Sequence, residues 1–108
     1  MKTETFVFKG TNYIIKIGGN SGENDALVRA SSNSDIWFHV ADSPSCHVVL
    51  SHMGKMNEIP RQVIKRCACL CVAFTKYRRV KYTEIANIQT TDKVGQVIIN
   101  GTAKEVCL

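Results

Sequence analysis

The chain has 108 residues, the length of one ordinary domain, and an apolar fraction of 44% is too high for a disordered tail. No apolar run approaches the roughly 20 residues of a membrane helix, and Met1-Lys2-Thr3-Glu4-Thr5 is not followed by the apolar stretch of a secretory signal, so a cytoplasmic address without membrane contact is expected. The net charge of +5 is concentrated: residues 53–81 carry +7, while residues 1–52 and 82–108 each carry −1, a bias that points to a polyanion, nucleic acid before membrane.

In chain order, Thr5–Phe8 and Tyr13–Ile17 read as two strands, with Gly10-Thr11-Asn12 as the turn between them. Gly18-Gly19-Asn20-Ser21-Gly22 breaks the pattern, and Asn24 or Ser21 is placed to cap a short helix through Asp25–Ala30. Ile36–Val40 carries large side chains on both faces and reads as a central strand. Ala41–Ser45 is a turn shaped by Pro44 and Asp42, and His47–Ser51 is the next strand. Pro60 suits the first turn of a longer helix, Pro60–Lys76.

At about 100° per residue, Val63, Cys67, Leu70 and Phe74 form the apolar stripe of that helix. Arg61, Lys65, Cys69 and Lys76 fall on the other side. Arg78-Arg79-Val80-Lys81-Tyr82 carries the charge into a strand, with Arg79 and Lys81 on one face. Gly95–Ile99 and Ala103–Cys107 read as a closing hairpin around Asn100-Gly101. The fold class expected is α+β: one domain over residues 1–108, a mainly antiparallel sheet with one long and one short helix.

Few side chains combine into a site. An odd count of five cysteines argues against a closed disulfide framework, and reduced thiols are the simpler reading. Cys67, Cys69 and Cys71 do not converge on a helix, since Cys69 turns outward. His39, His47 and Cys46 sit near one turn, but His-x7-His matches no common zinc frame. No metal and no cofactor is therefore expected. Trp37 is either core or a platform for an unpaired base, and His39 either a core histidine or an RNA contact. Gly18-Gly19-Asn20 suggests a phosphate loop only weakly, lacking a P-loop lysine. No catalytic constellation stands out.

The run Asp35-Ile36-Trp37-Phe38-His39-Val40-Ala41-Asp42-Ser43-Pro44-Ser45-Cys46-His47-Val48 resembles the signature of the NFACT-R family, D-I/L-W-F/L-H followed by D-x-P-G/S-S/A-H-V. Gly18-Gly19-Asn20 with Asn24-Asp25-Ala26-Leu27 is similar to its G-R-N loop and N-D-x-L. Ala73–Arg78 resembles its A-x-Y/F-S-K-x-R helix end, Val80–Thr83 its V-x-Y-T strand, and Gly95-Gln96-Val97 its late G-x-V strand. Gly19 stands where that family has arginine, and Ser45-Cys46 where it has Gly-Ser.

The resemblance implies the RNA-binding domain found at the C-terminus of the ribosome quality-control NFACT proteins. Those act on the large ribosomal subunit and recruit tRNA. This sequence resembles instead the standalone members, some linked by inference to RNA modification, including tRNA thiolation. The expectation is an RNA-binding module acting on tRNA or ribosomal RNA. Asn20, Trp37, His39 and His47 would shape a cleft, and Arg61, Lys65, Lys76, Arg78, Arg79 and Lys81 would bind phosphates along a continuous ridge. The alternatives are an RNA-modifying enzyme or its accessory, using His39, His47 and Asp42 as acid and base, and a protein-docking domain with a basic face.

Overall fold

A computed structural model describes all of residues 1–108. Eight strands and two helices run in the order β1 (Lys2–Phe8), β2 (Thr11–Gly18), α1 (Ser21–Ala30), β3 (Ile36–Val40), β4 (His47–Leu50), α2 (Arg61–Val72), β5 (Arg79–Glu84), β6 (Ile88–Thr90), β7 (Val97–Ile99) and β8 (Lys104–Cys107). Six of the strands form one sheet, ordered β1-β2-β4-β3-β5-β8, and every neighbouring pair is antiparallel. β6 and β7 form a separate small hairpin. The α+β class, the mainly antiparallel sheet and the central place of β3 agree with the sequence reading.

Alternation along the central strands separates two apolar layers. Ile36, Phe38 and Val40 of β3, Val48 and Leu50 of β4 and Val80 of β5 join Val63, Ile64, Cys67, Ala68 and Cys71 of α2 in the main core. Trp37, Val49 and Ile85 face the other way and meet Leu27 and Val28 of α1, with Ile88, Val97 and Ile99 of the small hairpin packed beside them. The sheet therefore lies between α2 on one side and α1 with β6–β7 on the other. Burying each large side chain of these layers stabilises the fold by about 1.5–3 kcal/mol.

Four local expectations are corrected. The first turn is Lys9-Gly10, because Phe8 pairs with Thr11; both turn residues are left-handed, φ +50° and +79°, the requirement of a two-residue hairpin turn. α1 begins at Ser21 and is capped by Asn20, whose side chain accepts from the Glu23 N–H. α2 stops at Val72, two residues before Phe74, whose φ of +67° is incompatible with a continuing helix. Phe74 is thus wholly exposed rather than in the apolar stripe. Finally, β7 and β8 do not pair with each other: β7 joins β6, and β8 joins the edge of the main sheet beside β5.

Candidate nucleic-acid interface

The alternation that sends Phe38 into the main core puts Trp37 and His39 on the α1 side of the sheet. β4 begins beside them with His47, and the three rings interlock. Trp37 and His39 stack at 5.5 Å with planes 7° apart, and His39 meets His47 edge-on at 4.9 Å. The Trp37 Nε1–H donates to His47 Nδ1 at 3.2 Å, so a neutral His47 carries its proton on Nε2. His39 Nδ1 lies 2.7 Å from the Val40 carbonyl; a carbonyl only accepts, so His39 holds its proton on Nδ1 and leaves Nε2 as an acceptor.

Burial keeps both imidazoles neutral. The pKa of His47 is pushed down to about 4 by its burial and then by the neighbouring His39. That of His39 is lowered, first by burial and further by the Lys81 charge, against the pull of the Val40 carbonyl.

These rings line a cleft of about 590 Å³ at one end of the sheet, together with Ser21 and Asn24 of α1, the 42–45 turn, Lys81 and the loop 93–97. Its back wall is fixed by a close approach. Asn24 Oδ1 accepts from the His47 N–H at 3.1 Å, and a Cβ on Gly18 would lie 2.3 Å from that same oxygen. Only glycine fits at Gly18. The front rim is set by Ser45, whose hydroxyl accepts from the Val40 N–H and donates to the Cys46 carbonyl.

The sheet end gathers charge of both signs. Asp42, left-handed at φ +59°, takes the Arg79 guanidinium and lies 3.8 Å from Lys81 Nζ. Glu105 is 3.4 Å from Arg79. These pairs are largely solvent-exposed, and such pairs are worth about 0–1 kcal/mol, so exchange of a carboxylate for a phosphate costs little. Lys93 lines the same cleft. Lys76 and Arg78, both exposed, come from the short segment between α2 and β5.

The ten expected contact residues thus divide. Trp37, His39, His47 and Lys81 share the cleft; Asn20, Lys76, Arg78 and Arg79 lie at the same end of the sheet, since they flank the start of α1, the end of α2 and the start of β5. Asn20 Oδ1 is committed to capping, and the Gly19 N–H donates to Glu23, so of these side-chain and loop groups only the Asn20 amide N–H₂ is left for a ligand. Arg61 and Lys65 sit on the exposed side of α2, in its first half, across the sheet from the cleft. The ridge is not continuous: a helix on one face and side chains from the other face of a strand cannot form one surface. Arg66, part of the same basic run, is taken up by Glu4 of β1 through two bonds of 2.6 Å.

A model of the family described as NFACT protein RNA binding domain matches residues 2–104. The chain belongs to the NFACT-R family. Within it, the chain is 37% identical over 95 residues to coiled-coil domain-containing protein 25 of Bos taurus, covering 79% of this chain and 46% of that protein. It is 31% identical over 81 residues to the Rqc2 homolog RqcH of Bacillus subtilis, covering 69% of this chain and 14% of that one. The chain thus spans less than half the length of these curated relatives. The C-terminal part of the fibronectin/fibrinogen-binding protein of Streptococcus suis superposes over 100% of this chain and 45% of its own, with a TM-score of 0.81 and 26% identity.

Several residues of this NFACT-R cleft escaped residue-by-residue reading. Asn24 reads from the sequence only as one of two alternative caps, with Ser21, although the N-D-x-L likeness marks the position; in the fold it accepts from the His47 N–H instead. Lys93 and Gln96 come from a loop whose place depends on the β6–β7 hairpin packing over α1, and nothing local announces it. Ser45 was legible only as a turn residue.

Proposed function

We propose that this NFACT-R domain binds RNA of the translation apparatus, tRNA or ribosomal RNA, through the end of the sheet that carries the cleft. The family description supports the class of ligand, and the RqcH likeness supports a place in ribosome-associated quality control. The single observation that carries the reading is the ring cluster. Two neutral imidazoles and an indole, with one free acceptor on His39 and one donor on His47, line an open cleft beside Lys81 and Lys93. Trp37 is core and stacks on His39 rather than on a base, but the neutral imidazole edges of His39 and His47 suit the edge of an unpaired base, and the lysines suit the phosphates that position it. Asn20 offers its amide N–H₂ group at the rim. Arg61 and Lys65 contact the same molecule only where RNA wraps the sheet edge onto α2.

The test is equilibrium binding to tRNA and to ribosomal RNA fragments across a salt series. With Lys76, Arg78, Arg79, Lys81 and Lys93 on phosphates, affinity falls roughly a hundredfold between about 50 and 200 mM salt. A binding constant that stays flat across that range overturns the reading.

A further inference from the structure

Phe74 is the most exposed large apolar side chain of the molecule, at 108% of its reference accessibility. It also occupies a left-handed backbone, φ +67°, where a residue with a Cβ is uncommon and glycine is the ordinary choice. Neither feature serves the fold: the ring packs on nothing, and the conformation disfavours it.

The backbone on both sides of Phe74 is nevertheless tied down by hydrogen bonds. The Ala73 N–H bonds back to the Cys69 carbonyl at 3.1 Å, and the Thr75 N–H to the Val72 carbonyl at 2.8 Å. The Thr75 hydroxyl donates to the same Val72 carbonyl at 2.9 Å and accepts from the Tyr77 N–H. The ring is presented from a pinned turn.

Its surroundings are cationic. Lys76 Nζ stands 5.9 Å from the centre of the Tyr77 ring, and Arg78 follows. Neither Lys76 nor Arg78 has a carboxylate within ion-pair distance, in contrast to Arg79. No acidic residue occurs between Glu58 and Glu84. The turn is tied to the cleft rim from both sides: the Ala41 N–H donates to the Arg79 carbonyl at 2.9 Å, and the Cys46 thiol lies 3.6 Å from the Leu70 carbonyl at the end of α2.

An exposed aromatic face among unpaired cations is the arrangement that single-stranded nucleic acid selects, with bases stacking on the ring and phosphates on the charges. A protein partner of matching chemistry would need an acidic, apolar surface; a bare, single ring with no apolar groove around it favours stacking. We infer that Phe74 is a stacking platform for an unpaired base of the bound RNA, outside the cleft, and that it makes the domain prefer single-stranded over duplex RNA. The inference rests on the RNA-binding reading above.

The experiment compares wild type, Phe74→Gly and Phe74→Trp by fluorescence anisotropy, using one unstructured RNA oligonucleotide and the same sequence as a duplex. Phe74→Gly is expected to melt at or above the wild-type temperature, since it relieves the left-handed strain. It should bind the single strand about tenfold more weakly and leave the duplex affinity and the salt slope unchanged. Phe74→Trp should keep or improve single-strand binding, with its indole emission quenched. If Phe74→Gly binds the single strand as wild type does, the platform is refuted while the RNA reading stands. If wild type binds neither form, both fall. A concentration-dependent dimer that Phe74→Gly abolishes, with RNA affinity intact, shows a second copy covering the ring and refutes the platform.

Discussion

His47 shows how one residue serves both the fold and the site. At 3% exposed it holds the start of β4 through its N–H to Asn24 and receives the Trp37 indole, so its ring must stay neutral. Its folded pKa is depressed to about 4, so the unfolded chain takes up the proton first as pH falls. The stability that neutral His47 contributes is therefore complete above its ordinary pKa, drains away as pH drops below about 6.5, and is gone near pH 4. The amount is on the order of 3 kcal/mol. Urea denaturation of wild type and His47→Asn across that range should show the variant with the flatter profile. Gly18 is the second residue whose chemistry is set by a neighbour. Gly18→Ala drives a methyl into Asn24 Oδ1 and within 3.0 Å of the α1 backbone, and should cost at least about 2 kcal/mol, read as a lower denaturation midpoint.

At the scale of elements, α1 is held by Leu27 and Val28 on its apolar face and also by a side-chain cap. Asn20 and Glu23 satisfy donors at its start, and Glu23 also takes the Met1 ammonium. Loss of the Asn20 side chain in Asn20→Ala should cost about 1 kcal/mol, and should weaken RNA binding beyond that only if the amide also touches RNA. α2 differs: its ends carry no side-chain cap, and it is held by burial. Val63, wholly buried against the sheet, should cost about 2–4 kcal/mol on truncation to alanine, seen in the melting temperature with no change in the salt slope of binding. The helix periodicity placed Val63 and Cys67 correctly in the core because both lie well inside the helix. It failed at Phe74 because a periodic pattern does not reveal where a backbone turns left-handed.

For the whole molecule, the decisive fact is that the basic residues of one sequence segment lie on two sides of a sheet. Removing charge at the cleft end and removing it on α2 should therefore separate. Lys76→Ala with Arg78→Ala is expected to weaken RNA binding about tenfold or more and to lower the salt slope by roughly 1.4. Arg61→Ala with Lys65→Ala should change both less. Equal effects would mean that RNA wraps both faces.

The sequence by itself determined the fold class, the central strand, the two helices and the family. Those depend on local periodicity, on turn chemistry and on a long signature, all of which survive without knowing what lies next to what. Tertiary structure alone decided the strand order, the pairing of β7 and β8 with distant partners, and the division of the cations. It also decided which polar groups Asn20, Asn24 and His47 use. Neighbours across a sheet are remote in sequence, and the face to which a side chain points has meaning only once the layers on each side are in place.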